Sequence, residues 1–376
     1  MRIGFDAKRI FFNASGLGNY GRTTVRILRS WYPNEQYWLY THGVRNALSA
    51  SREIALGANV KIATPATLID RLLPDYWRAF SLTNQIRNDG IDLYHGLNNE
   101  LPAGLDKVSV KKIMTVHDLI FIRFPQYYKA ADRVVYKLKS KYSVGIADRI
   151  MADTIQTKSD LVDFFHVAPD KIEVVPLSCS PIFYKKLGVK QIADSKQKYN
   201  LPSEYILSVG TIEPRKNLLS TVKALHHGRI DMPLVAVGRP TPYLAEIMAY
   251  VSKHHLEKQV LFRHDVETTD LPALYQGAQL LAYVSMFEGF GFPVLEALYS
   301  GTPVITSKGG CFGEVGGPSS LYVDALDTAQ ISDAIQRVLG DSALREKMIA
   351  DGYDYAQNFN EDKIAEKIMA VYRSVF

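Results

Sequence analysis

Glu288 and Glu296 stand eight positions apart in the run Phe287-Glu288-Gly289-Phe290-Gly291-Phe292-Pro293-Val294-Leu295-Glu296-Ala297. The apolar run Leu280–Val284 just before it reads as a buried strand. Pro293 suits the first position of a helix, where its missing N–H costs nothing. The stretch therefore reads as strand, glycine-rich turn, helix, with Glu288 on the turn and Glu296 on the first helical turn. Free N–H groups at a helix start can hold a phosphate. A carboxylate on each side of a phosphate site suits a ligand with hydroxyls at both ends, and a nucleotide-sugar is one: ribose, diphosphate, hexose. Two glutamates alone would more often be surface residues; the aromatic-glycine turn and the Pro after it move the balance.

A second group of residues carries the opposite charge. Leu207-Ser208-Val209-Gly210 reads as the end of a buried strand, and a helix is expected to begin near Lys216. Arg215 and Lys216 then project from a strand's carboxyl end. Arg grips phosphate oxygens in a bidentate fork and Lys adds a point charge. Cations are unfavourable at a helix N-terminus unless an anion is there too, which points to a diphosphate.

Other segments are less specific. His117 and Asp118 follow an expected strand in Thr115-Val116-His117-Asp118-Leu119. Read alone, His117 is as easily a packed histidine, and Asp118 a turn cap. Gly16-Leu17-Gly18-Asn19-Tyr20-Gly21 spells G-x-G-x-x-G, but about nine residues separate it from the strand Ile3–Asp6. A dinucleotide fingerprint needs an immediate turn, and Glu35 comes too early to hold a ribose. The segment reads instead as a flexible phosphate- or acceptor-facing loop before a helix, with Lys8, Arg9 and Asn13 nearby. The nine His residues show no zinc-like spacing; His226-His227 and His254-His255 are adjacent pairs that cannot face one ion together.

The elements that must position these residues alternate along the whole chain, as in α/β layers with parallel sheets. Strands are expected near Ile3–Asp6, Tyr37–Tyr40, Asn59–Ile62, Leu93–His95, Lys112–Val116, Arg149–Ala152 and Ile172–Val175. Helices are expected near Asn19–Ser30, Ile69–Arg87, Ala131–Ala147 and Thr157–His166. Pro176–Ser203 reads as an irregular, lysine-rich change of domain. A second series places strands at Tyr205–Val209, Leu234–Val237, Gln259–Phe262, Leu280–Val284, Pro303–Thr306 and Leu321–Val323, with helices between them and a last one from Glu361 to Arg373. Two doubly wound domains follow, residues 1–180 and 200–357, with a closing helix in 358–376. Ligands bind at the carboxyl ends of such strands.

Bulk properties bound the rest. The 376 residues are long for one core, and 47% hydrophobic with 22% charged residues is a globular composition. Only Cys179 and Cys311 are present, which excludes a disulfide framework or a multi-cysteine zinc site. No apolar run has membrane-spanning length, and the start reads directly into a strand, so a cytoplasmic enzyme is expected. Net charge is +5, with +7 in residues 1–180 (24 Lys+Arg, 17 Asp+Glu) and −2 in the remainder. No nucleic-acid motif accompanies the basic half. Arg22, Arg26 and Arg29 recur at helical spacing, as do Arg133, Lys137 and Lys141 near Tyr127, Tyr128 and Tyr136. One of these faces is expected to touch an anionic membrane peripherally, at the inner face of the plasma membrane.

Taken together, Val209-Gly210 … Arg215-Lys216-Asn217 and Glu288-Gly289-Phe290-Gly291-Phe292-Pro293 … Glu296-Ala297 resemble the retaining glycosyltransferases of family four, with the GT-B fold. Asp6-Ala7 … Gly16-Leu17-Gly18-Asn19-Tyr20 is similar to that family's N-terminal glycine loop, Thr115–Leu119 to its His-bearing strand end, and Asn360 onward to the helix that crosses back to the first domain. The resemblance implies two Rossmann-like domains facing across a cleft. It implies that Arg215 and Lys216 bind the sugar donor's diphosphate and steady the leaving group. Glu296 would hold ribose, Glu288 the sugar hydroxyls, and His117 the transferred sugar. Gly210, Gly289, Phe290, Gly291, Phe292 and Val294 would line the sugar and phosphate site. The base would lie near His264 and Val266, where His264 replaces an expected glycine. Metal-dependent glycosyltransferases commonly carry Asp-x-Asp, and none occurs here; no metal and no cofactor beyond the co-substrate is expected. The implied reaction moves a hexose from a nucleoside diphosphate sugar to a saccharide or lipid-linked saccharide, and the Glu213–Asn217 variant resembles mannosyltransferase-like members. A sugar-nucleotide epimerase of the same fold and a non-catalytic sugar-nucleotide or glycan-binding protein are the alternatives.

Overall fold

The computed structural model describes residues 1–13, 16–44 and 57–376. Its strands are short, and the central ones are lined by residues buried on both faces, the pattern of parallel sheets covered by helices. β1 (Arg2–Asp6), β2 (Gln36–Tyr40), β3 (Val60–Ala63), β4 (Leu93–Gly96), β5 (Lys111–Val116), β6 (Arg149–Ala152) and β7 (Ile172–Val174) form one sheet in the order β3-β2-β1-β4-β5-β6-β7. β8 (Ile206–Val209), β9 (Leu234–Val237), β10 (Val260–Arg263), β11 (Leu280–Tyr283), β12 (Val304–Ser307) and β13 (Leu321–Val323) form a second in the order β10-β9-β8-β11-β12-β13. Every pairing is parallel. The order reverses between β1 and β4 in one sheet and between β8 and β11 in the other, and a ligand crevice is expected outside the carboxyl ends at each such point.

The chain divides into two compact units, Met1–Ser178 with Phe359–Phe376, and Cys179–Asn358. The C-terminal helix Glu361–Arg373 thus belongs to the first unit, where it packs on the helix Gly16–Trp31. Tyr372 is buried there, and its hydroxyl meets His95 Nδ1 at 2.7 Å. His95 Nε2 meets Thr115 Oγ1 at 2.8 Å, and Thr115 Oγ1 meets the Tyr20 hydroxyl at 2.7 Å. This buried polar chain ties two helices to β4 and β5. Burial, and after it the neighbouring His117, pushes the His95 imidazole down to about 3, so it is neutral at ordinary pH.

Four expectations change. The helix Gly16–Trp31 begins at Gly16, so Gly16, Leu17 and Gly18 are its first turn and not a flexible loop. Gly18 lies so close to the preceding segment that a Cβ would stand 1.9 Å from the Asn13 carbonyl oxygen. The expected helix Ile69–Arg87 is broken into Leu68–Leu72, Pro74–Tyr76, a π-helical turn Trp77–Ser81 and Leu82–Asn88; Pro74 cannot donate in the ladder and starts a new turn. The expected irregular stretch Pro176–Ser203 contains the helix Val189–Lys198. Seven of its ten residues are polar, and the apolar Val189, Ile192 and Ala193 make only a one-turn stripe, too short to stand out. The arginine stripe is internal: Arg22 is 7% exposed and donates to the Ile10 and Asn13 carbonyls at 2.8 Å, while Arg26 pairs with Glu361 of the last helix. Those cations brace the unit and present no open basic face.

Candidate active site

In the second unit, the carboxyl ends of β8, β9 and β10 are knit together. The Gly210 N–H donates to the Val237 carbonyl at 2.9 Å and the Gly238 N–H to that of Arg263 at 3.0 Å. A Cβ on Gly238 would lie 1.8 Å from the Gly210 carbonyl oxygen, so only glycine fits there. His264, exposed just past β10, donates its Nδ1–H to the Gly238 carbonyl at 2.7 Å, while Val266 is half-buried two residues on.

Arg215 and Lys216 lie in a single 3₁₀ turn, Pro214–Lys216; the following helix starts only at Leu218, after Asn217 in the left-handed region at φ 57°. Asn217 fixes that geometry by donating its Nδ2–H to the carbonyls of Val284 at 3.0 Å and Ala325 at 2.7 Å. The turn delivers both cations to Glu288. Lys216 Nζ reaches Glu288 Oε1 at 2.6 Å, and an Arg215 guanidinium N–H reaches Oε2 at 2.7 Å. Ser285 Oγ and the Tyr283 hydroxyl also donate to Oε1, at 2.6 and 2.9 Å. Arg215 is further held by the Phe287 carbonyl at 2.7 Å and by Glu213 at 2.6 Å. Glu288 is 8% exposed. Burial alone would raise its pKa; Lys216 first and Arg215 next more than reverse this and hold the carboxyl down at about 2. A buried carboxylate with four donors and two cations is a fixed anchor. Gly210, Lys216 and Tyr283 line a small cavity of about 10 Å³ beside it.

The helix after the glycine turn runs Phe292–Tyr299, with Gly291 as its N-cap at φ 100° and Pro293 at its second position. Glu296 therefore sits one residue further into the helix than expected from the sequence. Phe290 and Val294 are buried, whereas Gly289 and Phe292 are half-buried. Glu296 stands apart from the Glu288 cluster, accepting a 2.9 Å hydrogen bond from the Tyr275 hydroxyl. Burial pushes its carboxyl up to about 7, and the Tyr275 hydrogen bond offsets only part of that. The sequence did not single out Ser285, Tyr283 or Tyr275, since a hydroxyl inside an apolar strand or helix carries no local signal.

In the first unit, a cavity of about 220 Å³ opens at the carboxyl ends of β4 and β5. Arg9, Leu17, Asn98, His117, Tyr136 and Lys139 are among its walls. Gly16 and Gly18 place Leu17 there from the first helical turn. Phe121, Tyr128 and Tyr136 pack edge-on as a triad with ring centroids 5.7–6.5 Å apart. Tyr128 and Tyr136 thus form part of the wall of this cavity. The buried Asn98 Oδ1 has no partner among the described protein groups. His117, 7% exposed, donates Nδ1–H to Asp153 Oδ2 at 2.7 Å and Nε2–H to the Leu97 carbonyl at 2.9 Å. Burial would lower its pKa, but the Asp153 carboxylate more than compensates and raises it. Two donors on two acceptors describe an imidazolium against a carboxylate. Both ring nitrogens are occupied, so in this arrangement His117 offers a sugar hydroxyl no free nitrogen. Asp153, 36 residues away, was invisible to local sequence patterns.

Known proteins share sequence and fold with this chain. The profile for Glycosyl transferases group 1 matches residues 189–355, and that for Glycosyltransferase Family 4 matches residues 25–178. The chain is 28% identical to O-antigen chain mannosyltransferase B of Escherichia coli over 99% of this chain and 100% of that protein. It is 29% identical to O-antigen chain mannosyltransferase RfbU of Salmonella typhimurium over 64% of this chain and 65% of that one. Among solved structures, sucrose-phosphate synthase from Thermosynechococcus elongatus aligns over 100% of this chain and 99% of its own, at 20% identity and a TM-score of 0.77. Anabaena HepE in complex with UDP and glucose aligns over 100% of both chains, at 17% identity and a TM-score of 0.75. Two Rossmann-like units, each matched by its own family profile, with a C-terminal helix that belongs to the first, make this chain a GT-B glycosyltransferase, and it belongs to the group 1 glycosyltransferases of family 4.

Proposed function

We propose that the enzyme is a retaining, metal-independent hexosyltransferase that takes mannose from a nucleoside diphosphate sugar, a guanine nucleotide in the first instance, and adds it to a saccharide or lipid-linked saccharide in cell-surface polysaccharide synthesis. The observation that carries the reading is the Arg215–Glu288–Lys216 cluster at the carboxyl edge where the second sheet reverses order. Two cations pre-positioned by a buried carboxylate are an electrostatic site built before the ligand arrives, and preorganised charge of this kind stabilises a departing diphosphate without reorganisation. The relatives named as O-antigen mannosyltransferases support the sugar and the pathway class.

In the proposed reaction the anomeric C–O bond to the diphosphate breaks while the acceptor oxygen bonds to the same face of the anomeric carbon. The acceptor's proton passes to a phosphate oxygen. Arg215 and Lys216 take up the charge that develops on the leaving group. Glu288 keeps them in place and, where a ligand displaces one of its hydroxyl partners, can meet a sugar hydroxyl. Glu296 receives ribose hydroxyls. The aromatic triad and Asn98 of the first-unit cavity receive the acceptor, an aromatic face covering the apolar side of a sugar ring while an amide meets its hydroxyls.

The test is calorimetry with GDP and UDP alongside transfer assays with the matching sugars. Arg215→Ala and Lys216→Ala should each weaken nucleoside diphosphate binding by roughly 1.5–3 kcal/mol, the worth of a charge-assisted partner. Unchanged affinity in both variants would place the phosphates elsewhere. Activity should persist in EDTA; a chelator-sensitive rate restored by Mg²⁺ or Mn²⁺ would overturn metal independence. Conversion of the sugar donor without any acceptor would instead mark an epimerase.

A further inference from the structure

We infer that the first unit docks on an anionic lipid surface through the segment Leu68–Phe80 and the outer face of the helix Ala130–Ile146. Six large apolar side chains are exposed in the first segment: Leu68, Ile69, Leu72, Leu73, Tyr76 and Phe80, at 51–71%. Val134, Val135, Tyr136 and Leu138 are exposed at 45–64% on the helix. Soluble proteins scatter such residues singly; a contiguous patch marks an interaction surface. The two segments are neighbours. Phe80 and Leu138 line the same groove, and Arg78 of one and Lys139 of the other both pair with Glu100.

The local fold holds these residues outward. Thr67 caps the turn Leu68–Leu72 by accepting from the Asp70 N–H at 3.1 Å, and Asp70 is buried. Trp77, 2% exposed, anchors the next turn and donates to Gln85 at 3.1 Å. With those groups turned inward, the leucines and Ile69 between them face water.

Charge selects the occupant. Residues 129–141 hold Lys129, Arg133, Lys137, Lys139 and Lys141 against the single acid Asp132. Lys129, Lys137 and Lys141 have no carboxylate partner among the described residues. A second copy of the chain packed on the same face by twofold symmetry would set this cationic rim against itself. An anionic bilayer accepts the apolar side chains into its boundary and the lysines among its headgroups. Tyr136 and Lys139 also line the 220 Å³ cavity, so docking would bring the cavity's rim to the lipid surface. The face exists whatever the acceptor proves to be.

The experiment is co-sedimentation of the full chain with vesicles of phosphatidylcholine alone and of phosphatidylcholine with phosphatidylglycerol. Binding should need the anionic lipid and fade as salt rises from about 50 to about 500 mM, which shortens the screening length about threefold. The double variant Lys137→Gln, Lys141→Gln should bind about 25-fold more weakly, about fivefold for each lysine near such a surface. Ile69→Ser with Leu72→Ser should lose binding while keeping every charge. Lys253→Gln with Lys258→Gln, in the other unit, should bind as wild type. All variants should keep the wild-type melting temperature, since the altered side chains are exposed. Absence of pelleting at low salt, equal binding to neutral vesicles, or equal loss in the Lys253/Lys258 variant would overturn the inference. So would a wild-type dimer that the Ile69/Leu72 variant converts to monomer without any vesicle binding.

Discussion

Glu288 of the glycine turn and Glu296 of the helix that follows answer to opposite electrostatics. Glu288 has two cations and stays ionised down to about pH 2; Glu296 has none, and burial raises it to about 7 from an ordinary 4.5. For Glu296 the folded state holds its proton more tightly than the unfolded chain between those two values. Its contribution to stability therefore falls as pH rises from 4.5 to about 7. Ribose hydroxyls donate to the ionised form, so a ligand that ionises Glu296 must first overcome that burial. Nucleoside diphosphate affinity should accordingly strengthen as pH rises through about 7, with proton release on binding. Calorimetry in two buffers of different ionisation enthalpy measures both effects. The phosphates titrate nearby, so Glu296→Gln is the reference; its profile should lose the component centred near 7 and keep that of the ligand alone. An identical profile in the variant would remove Glu296 from the ribose site.

At the scale of elements, the chemistry depends on how closely strand ends approach. The carboxyl ends of β8 and β9 touch at Gly210 and Gly238, and a Cβ on Gly238 would have no room against the Gly210 carbonyl. Gly238→Ala should cost about 2 kcal/mol or more through the resulting backbone shift, and should weaken nucleotide binding by moving Gly210 beside Lys216. Gly340→Ala is the matched control, since a Cβ there meets nothing within 4 Å. Thermal melts of the two variants make the comparison, and equal melting temperatures would mean the strand ends adjust freely. Helix positions were legible to the extent that an apolar stripe announced them. Glu361–Arg373 was read from sequence with its observed bounds, whereas Val189–Lys198, with apolar residues only at Val189, Ile192 and Ala193, was missed.

Across the whole molecule, the last helix is a structural member of the first unit despite lying at the far end of the chain. Tyr372 partners His95 Nδ1 across 277 residues, and Glu361 pairs with Arg26. Tyr372→Phe keeps the ring and strands a buried nitrogen, a loss of about 1–3 kcal/mol. Two units need not unfold together, so one melting curve would mix them. Amide hydrogen exchange separates them: protection of β4 and β5 should fall by that amount while β8 to β11 stay unchanged. Equal loss in both units would show that the helix stabilises the molecule globally.

The sequence by itself determined the alternation of strands and helices, the two sheets and the segments that carry chemistry, because each of these is written in local periodicity or spacing. Thirteen strands were legible for that reason. It also placed Arg215, Lys216 and Glu288 at strand ends. Tertiary structure alone decided what those residues touch. Glu288 meets Lys216 across 72 residues and His117 meets Asp153 across 36, distances at which no periodic signal survives. The same limit governed the basic stripes. Arg22 and Arg26 share a face in any helix, but only the fold shows that this face is spent on Ile10, Asn13 and Glu361, leaving the lysines of Ala130–Ile146 as the charge that reaches solvent. Burial is a property of the packed whole, and it sets which charges are paired, which carboxyl is raised and which apolar residues are left to meet another surface.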